Sequence, residues 1–425
     1  MNAAPQRALA PDVKLREVWA WSMYDFANSA YTTVVITAVF SAYFVGVIAQ
    51  NAPWSTFAWT AALSVSYAAI LLTGPLVGAW ADAHAAKKPL LLATTLGCVV
   101  FTALLYFTQP GAVAVALLLL IASNYFFGAG ENLIAAFLPE LADSRAMGRV
   151  SGWGWSFGYL GGLTALGICL FYITSSEGKS ASQTVPVTML ITAAFFALAA
   201  VPTFVFLHER AVPQARMENP WGRVRETLRA AEKYVDLKRF LICLLFYQAG
   251  ITAVVSLAAI YAEQAMRFTT QQTIVLILVV NITAALGAFG FGYLQDAIGH
   301  VRAVALTLVG WIVMIALAYT AESVAMFWVA ANLAGLCMGS SQAAGRAIVG
   351  YLSPPKRLAE FFGLWGLAVK AASIFGPLTY GVVTWMFEGN HRLGILAVGV
   401  YFVIGLMLLA GIDVERGRRA AVESK

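Results

Sequence analysis

What this chain has least of is charge: Asp, Glu, Lys and Arg make up 11% of its 425 residues, against 60% that are apolar. A soluble domain carries about 25% charged and 45–50% apolar residues, so a water-soluble enzyme of this length is excluded. Cysteine is nearly absent as well. Cys98, Cys169, Cys243 and Cys337 each fall inside an apolar stretch with no C-x-x-C pair, which excludes a disulfide framework and leaves them as small buried hydrophobes. The histidines, His84, His208, His300 and His391, stand far apart, so no metal site is expected. The sequence has no phosphate-binding glycine loop and no paired aspartates at a membrane edge. Those gaps argue against an ATP-driven pump and against an intramembrane transferase of lipid or glycan. Neither enzymatic activity nor a cofactor is expected.

Long apolar runs fill the chain instead. They lie at about 18–49, 57–82, 89–107, 112–138, 149–173, 185–207, 240–263, 272–298, 301–320, 323–351, 359–387 and 391–412. A membrane-crossing helix needs roughly 20 such residues, so the expected fold class is an all-α membrane protein with twelve transmembrane helices. Lys and Arg set the orientation. With the N-terminus inside, 22 of the 27 fall in inner segments and only 3, Lys179, Arg267 and Arg392, in outer loops; Arg346 and Lys370 lie within spans. Both termini are therefore expected in the cytoplasm, and short loops point to a bacterial plasma (inner) membrane. The formal charge of +6 reads as a topology signal. The bilayer is the expected surrounding and nucleic acid is not an expected partner.

The longest polar stretch, 208–239, separates bundles at 1–207 and 240–425. Within it Asn219-Pro220 offers an N-cap and a first-turn proline. Trp221, Val224, Leu228, Ala231 and Val235 then follow helical spacing among Arg223, Arg225, Arg229 and Lys233. This is the pattern of an amphipathic helix on the inner membrane surface; a solvated linker helix fits it as well. The bundles repeat. Gly78-Ala-Trp-Ala-Asp82 closes the second span and Gly292-Tyr-Leu-Gln-Asp296 the eighth, 214 residues later. Lys87 and Lys88 follow the first copy, Gly299 and Arg302 the second, and the same offset aligns Leu138 with Leu352 and Gly162 with Gly376. Two parallel six-helix bundles about a pseudo-two-fold axis are implied.

These Gly-x-x-x-Asp loops with trailing basic residues resemble the signature of the major facilitator superfamily, with Ala85 where the first copy would carry a glycine. Met23-Tyr-Asp-Phe-Ala-Asn-Ser-Ala-Tyr31 in span 1, and Glu360-Phe-Phe-Gly363 and Lys370-Ala-Ala-Ser-Ile-Phe-Gly-Pro377 in span 11, narrow the resemblance. Together they are similar to the vacuolar amino-acid effluxer-like branch, also called an unknown major facilitator family, over nearly the whole chain. The resemblance implies the two-bundle major facilitator fold. It also implies that helices 1, 4, 7 and 10 line a central cavity, flanked by 2, 5, 8 and 11.

Ionisable residues within a bilayer are costly and are functional candidates by default. Four lie well inside spans: Asp25 in span 1, Glu131 in span 4, Arg346 in span 10 and Lys370 in span 11. At 1.5 Å per residue the first three sit roughly 8–11 Å from the cytoplasmic ends of their spans, and Lys370 about 15 Å in, near the midplane. Polar neighbours share their faces: Asn28 beside Asp25, Asn124 and Asn132 around Glu131, Asn332 and Gln342 leading to Arg346, and Gln248 in span 7. The planar fork of Arg346 and the point charge of Lys370 suit a carboxylate. Asp25 and Glu131 are expected to exchange protons, since burial raises a carboxyl's proton affinity and a nearby cation lowers it. For Asp25, Glu131 and Arg346 a solute site and an inner gate held by ion pairs both stay open.

Gly78, Asp82, Lys87, Lys88, Gly292, Asp296, Gly299 and Arg302 are the gating candidates. Glycine admits close backbone approach, and an aspartate accepts hydrogen bonds from the amides that open a neighbouring helix. The function expected is a monomeric secondary active transporter of a small-molecule substrate, an amino acid or related carboxylate, with a proton as coupled ion. A non-transporting membrane sensor on the same fold is the alternative.

Overall fold

The computed structural model describes residues 9, 12–141, 147–176, 178–210, 219–354 and 358–423. All described elements are helices. Twelve are long and apolar enough to cross a membrane: Leu15–Ile48, Ser55–Gly78, Lys87–Phe107, Val113–Ala135, Trp153–Ser175, Ala181–Phe206, Val235–Met266, Thr270–Ala288, His300–Thr320, Val324–Gln342, Gly363–Met386 and His391–Leu409. These are spans 1 to 12, and each overlaps the apolar run expected for it. The four cysteines are buried and free.

The chain divides into two compact units, Met1–Ala49 with Leu72–Glu218, and Gln50–Leu71 with Asn219–Lys425. In the first, span 1 packs on spans 5 and 6, and span 3 on spans 4 and 6; in the second, span 7 packs on spans 11 and 12, and span 9 on spans 10 and 12. The pairings recur six spans on, so the repeat seen in two loops extends to helix packing. Span 2 belongs to a longer helix, Ser55–His84, whose residues through Leu71 count with the second unit. There Ser64 Oγ donates to the Ile374 carbonyl at 3.2 Å and Phe57 stacks on Trp385 at 4.9 Å.

Glycines set the tightest approaches. A Cβ on Gly161 would collide with the Phe26 carbonyl of span 1, one on Gly376 with the Ala249 carbonyl of span 7, and one on Gly339 with the Ala284 carbonyl of span 8. Lipid gives apolar helices no hydrophobic reason to associate, so such backbone-to-backbone seams are what holds them. Polar staples close each unit. Glu17, its side chain 5% exposed, meets Arg210 at 2.8 Å, and Asp236, 3% exposed, meets Arg416 at 2.6 Å. In both cases an acid in the first turn of a span, 1 or 7, is held by an arginine that follows span 6 or span 12.

Span 1 departs from the plain helix its hydropathy suggests. After Leu15–Ala30 the segment Tyr31–Ala38 is π-helical, Val39 breaks the run, and a second π segment spans Phe44–Ile48. The widened turns show in bonds from Val39 N to the Val34 carbonyl (3.0 Å) and from Ala49 N to the Phe44 carbonyl (2.8 Å), each reaching back five residues. Thr32, Thr33, Val34, Val35, Ile36 and Thr37 are all β-branched, and six in a row crowd the turn before them. A π segment inside a helix is frequently a functional feature.

Candidate functional site

In the first unit the glycines of span 5 let Asp25 lie against its backbone. A Cβ on Gly154 would meet Asp25 Oδ2 at 2.5 Å and the Trp21 ring at 2.7 Å; one on Gly158 would meet Ser29 Oγ at 3.0 Å. Trp21 is pinned by its indole N–H donating to the Ile134 carbonyl at 2.9 Å. Tyr24, the residue before Asp25, packs its hydroxyl on Gly130, the residue before Glu131. That hydroxyl pairs with Thr95 Oγ1 at 2.9 Å and lies within electrostatic reach of both Asp25 and Glu131. The two embedded acids of this unit therefore gather about one tyrosine.

Of the amides, Asn28 and Asn124 are buried, whereas Asn132 is exposed and lies near Gly74. One turn past Asn28, Tyr31 bonds Ser123 at 2.8 Å and stacks on Phe127 at 5.0 Å.

In the second unit Lys370 Nζ stands over the Tyr67 ring, 5.9 Å from its centre, within the range of a cation–π contact. Lys370 thus sits against span 2. Gly366, one turn before it on the same face, has open space where a Cβ would go. Gln248 is half-buried, and its backbone carbonyl accepts a bond from Thr252. Asn332 turns its amide back to the Trp328 carbonyl of its own helix at 2.8 Å, and Gln342 is half-buried. Gly335 and Gly339 form the seam with span 8, where a Cβ would meet the Val280 and Ala284 carbonyls. The side chains of Arg346, Asp82 and Asp296, and of Arg149 and Arg223 of the topology count, lie outside the described residues, as do the surroundings of Gly292 and Arg7, Arg145, Arg216, Lys356, Arg357 and Lys425.

The loop after span 2 is built from charge-assisted bonds. Lys87 Nζ donates to Glu140 at 2.9 Å, and the Lys87 and Lys88 amides donate to the Glu209 carboxylate at 2.7 and 3.1 Å, closing the start of span 3. Lys88 Nζ donates to the Leu207 carbonyl at 2.6 Å. Here Ala85 adopts φ +47°, while Gly299, its counterpart after span 8, adopts +88°. Both copies need left-handed backbone; the first meets it with a residue that bears a Cβ and is strained by it. Gly78 has no neighbour where a Cβ would be, and Arg302 is exposed.

Tyr24 and Tyr67 were not singled out as site residues by sequence alone. Tyr24 had a signal, since it sits inside the span 1 motif next to Asp25. Tyr67 had none, because nothing in one helix's periodicity names its neighbour. Glu263, with the Thr270 and Thr273 hydroxyls beside it, was missed because it ends the apolar run as read, whereas the helix continues to Met266.

The family described as "Vacuole effluxer Atg22 like" matches residues 41–422. The chain belongs to that family. Among its relatives, the uncharacterized MFS-type transporter YxiO of Bacillus subtilis (strain 168) is 27% identical over 406 residues, covering 93% of this chain and 94% of that one. Autophagy-related protein 22 of Cryptococcus neoformans var. neoformans (serotype D, strain B-3501A) is 24% identical over 304 residues, 66% of this chain. The match covers 55% of that fungal protein's own length. Among solved structures, a D-xylose-proton symporter superposes with a TM-score of 0.73 at 12% identity, over 95% of this chain and 99% of its own. The nucleoside transporter NupG does so at 0.67 and 16%, over 95% and 100%. At those identities the likeness establishes the fold alone: it is the major facilitator fold. This Atg22-like protein is a multi-pass membrane protein and a secondary transporter of the major facilitator superfamily, not an enzyme.

Proposed function

We propose that this Atg22-like transporter moves an amino acid or a related small carboxylate by alternating access, coupled to protons, across a bacterial plasma membrane with both termini in the cytoplasm. The observation that carries the reading is the placement of embedded charge. Asp25 and Glu131 gather about Tyr24, and Lys370 faces Tyr67 with open space at Gly366. Charges this deep are tolerated where they pair or meet water. Lys370 supplies the cation for a carboxylate, with Arg346, Gln248, Asn332 and Gln342 as further polar groups of the second unit. Asp25 and Glu131 supply the groups that take up and release protons, with Asn28, Asn124 and Asn132 around them. The positive-inside count supports the orientation, and the full-length bacterial relative YxiO supports the membrane. Gating falls to the two loops, and in the first of them Glu140 and Glu209 hold Lys87 and Lys88. The protein acts as a monomer.

Thermal unfolding of the purified protein against amino acids, short peptides and organic acids at two pH values tests the substrate class. A bound solute stabilises by RT ln(1 + [L]/Kd), about 2.7 kcal/mol at a hundred-fold excess over Kd. Stabilisation by carboxylate-bearing solutes and not by their amides is expected. Stabilisation by uncharged or cationic solutes alone would overturn the carboxylate reading.

A further inference from the structure

The segment that joins the two units carries a surface apart from the residues assigned to transport. Helix Pro220–Ala231 begins with the Asn219 side chain accepting the Trp221 and Gly222 amides at 3.1 Å each. One side of it is settled: Ala231 is buried, and Tyr234 just beyond is buried edge-to-face on Phe361 at 5.5 Å. The helix is thereby held against spans 7 and 11, at the point where span 7 enters the membrane.

The other side is uncovered. Trp221 is 41% exposed, Leu228 53% and Val235, the first residue of span 7, 51%. Trp221 and Leu228 are seven apart and fall on one stripe, with Arg225 and Arg229 next to it at a spacing of four. Arg225, Arg229 and Lys233 are exposed, and none makes an ion pair or side-chain hydrogen bond among the described residues. Across 219–239 six bases face three acids. One of those acids, Asp236, is buried and already neutralised by Arg416. The other two are Glu226, which stands about 100° from Arg225 and one turn before Arg229, and Glu232, which lies past the helix end; neither makes an ion pair among the described residues.

We infer that this face docks onto anionic phospholipid headgroups of the leaflet that borders span 7: Trp221 and Leu228 enter the interface while Arg225 and Arg229 grip lipid phosphates. Charge complementarity selects the occupant. A row of cations with no ion pair among the described residues flanks an apolar stripe on a helix anchored next to a bilayer, and an anionic surface attracts each basic residue by about 1 kcal/mol. A neutral leaflet would receive the two apolar side chains alone. Two arginines then bias docking on an anionic leaflet over a neutral one by about 30-fold, and salt weakens that bias as the Debye length shrinks.

The test uses the full-length protein with Leu228→Cys carrying a nitroxide, reconstituted into phosphatidylcholine vesicles with or without 30% phosphatidylglycerol. Accessibility to a water-soluble nickel relaxant should fall when the anionic lipid is present. The fall should vanish in Arg225→Gln/Arg229→Gln and shrink at 0.5 M salt. Equal accessibility in both lipids overturns the proposal, whether the label is shielded in both, as by a protein surface, or open in both. So does a fall that survives the double substitution.

Discussion

Replacing Lys370 by alanine should lower solute flux into proteoliposomes at least about ten-fold at sub-saturating solute, while the protein remains folded. A charge-assisted hydrogen bond to a bound carboxylate is worth about 1.5–3 kcal/mol, which is ten- to a hundred-fold in apparent affinity. The fold should not suffer. Thermal unfolding of the purified variant checks that the lost flux is not a loss of folded protein. Lys370→Arg should keep part of the flux because it keeps the charge, though a broad planar fork cannot occupy the same point as a compact ammonium. Asp25→Asn separates the roles. It should abolish flux driven by a pH gradient while leaving solute exchange, because the solute's cation is intact and the proton carrier is not. Undiminished flux in Lys370→Ala, with the solute gradient and protein amount matched, would remove Lys370 from the site.

The second large effect is on stability. Gly376→Val and Gly161→Val should each destabilise the protein by about 3 kcal/mol or leave it unextractable in folded form. Overpacking costs about 1–3 kcal/mol even where side chains can yield. At both positions the obstacle is a carbonyl of the facing helix, Ala249 for Gly376 and Phe26 for Gly161, and backbone does not yield. The seams between spans 7 and 11 and between spans 1 and 5 would have to part. Gly290→Val is the matched control, since a Cβ there meets nothing within 4 Å. Valine exceeds glycine in helix propensity, so the control should be neutral or slightly more stable. Thermal unfolding in detergent reads the comparison; equal midpoints for all three variants would contradict the packing described.

The two seams also show what a sequence discloses. Twelve spans were legible because lipid demands about twenty apolar residues per crossing, and that demand is met locally. The two-fold repeat was legible from a pair of loops, and the same-offset pairing of Gly162 with Gly376 came close. The glycine that touches the facing backbone in the first unit is Gly161, one residue earlier. Asp25, Glu131 and Lys370 were legible as embedded charges, since a charge inside an apolar run is conspicuous whatever surrounds it. What each faces was not. Periodicity gives the side of a helix and leaves the opposite partner unnamed, so Tyr67 beneath Lys370 carried no trace in the sequence. The packing face of span 10 had a signal that polarity masked: Gly335 and Gly339 are spaced as a helix-packing pair, and that face meets span 8. The first π segment of span 1 was foreshadowed by six β-branched residues, which hydropathy does not register.

The central claim is that Lys370 occupies a water-reachable path rather than a lipid-facing or sealed position. Gly366→Cys measures it most directly. The substitution fits, as a Cβ there has open space, it lies one turn from Lys370, and the four native cysteines are buried. The account predicts that the new thiol reacts with a charged, membrane-impermeant maleimide in intact vesicles from one side of the membrane, and that a transported solute slows the reaction. A thiol that reacts only with a lipid-soluble reagent, from neither side with the charged one, would contradict it.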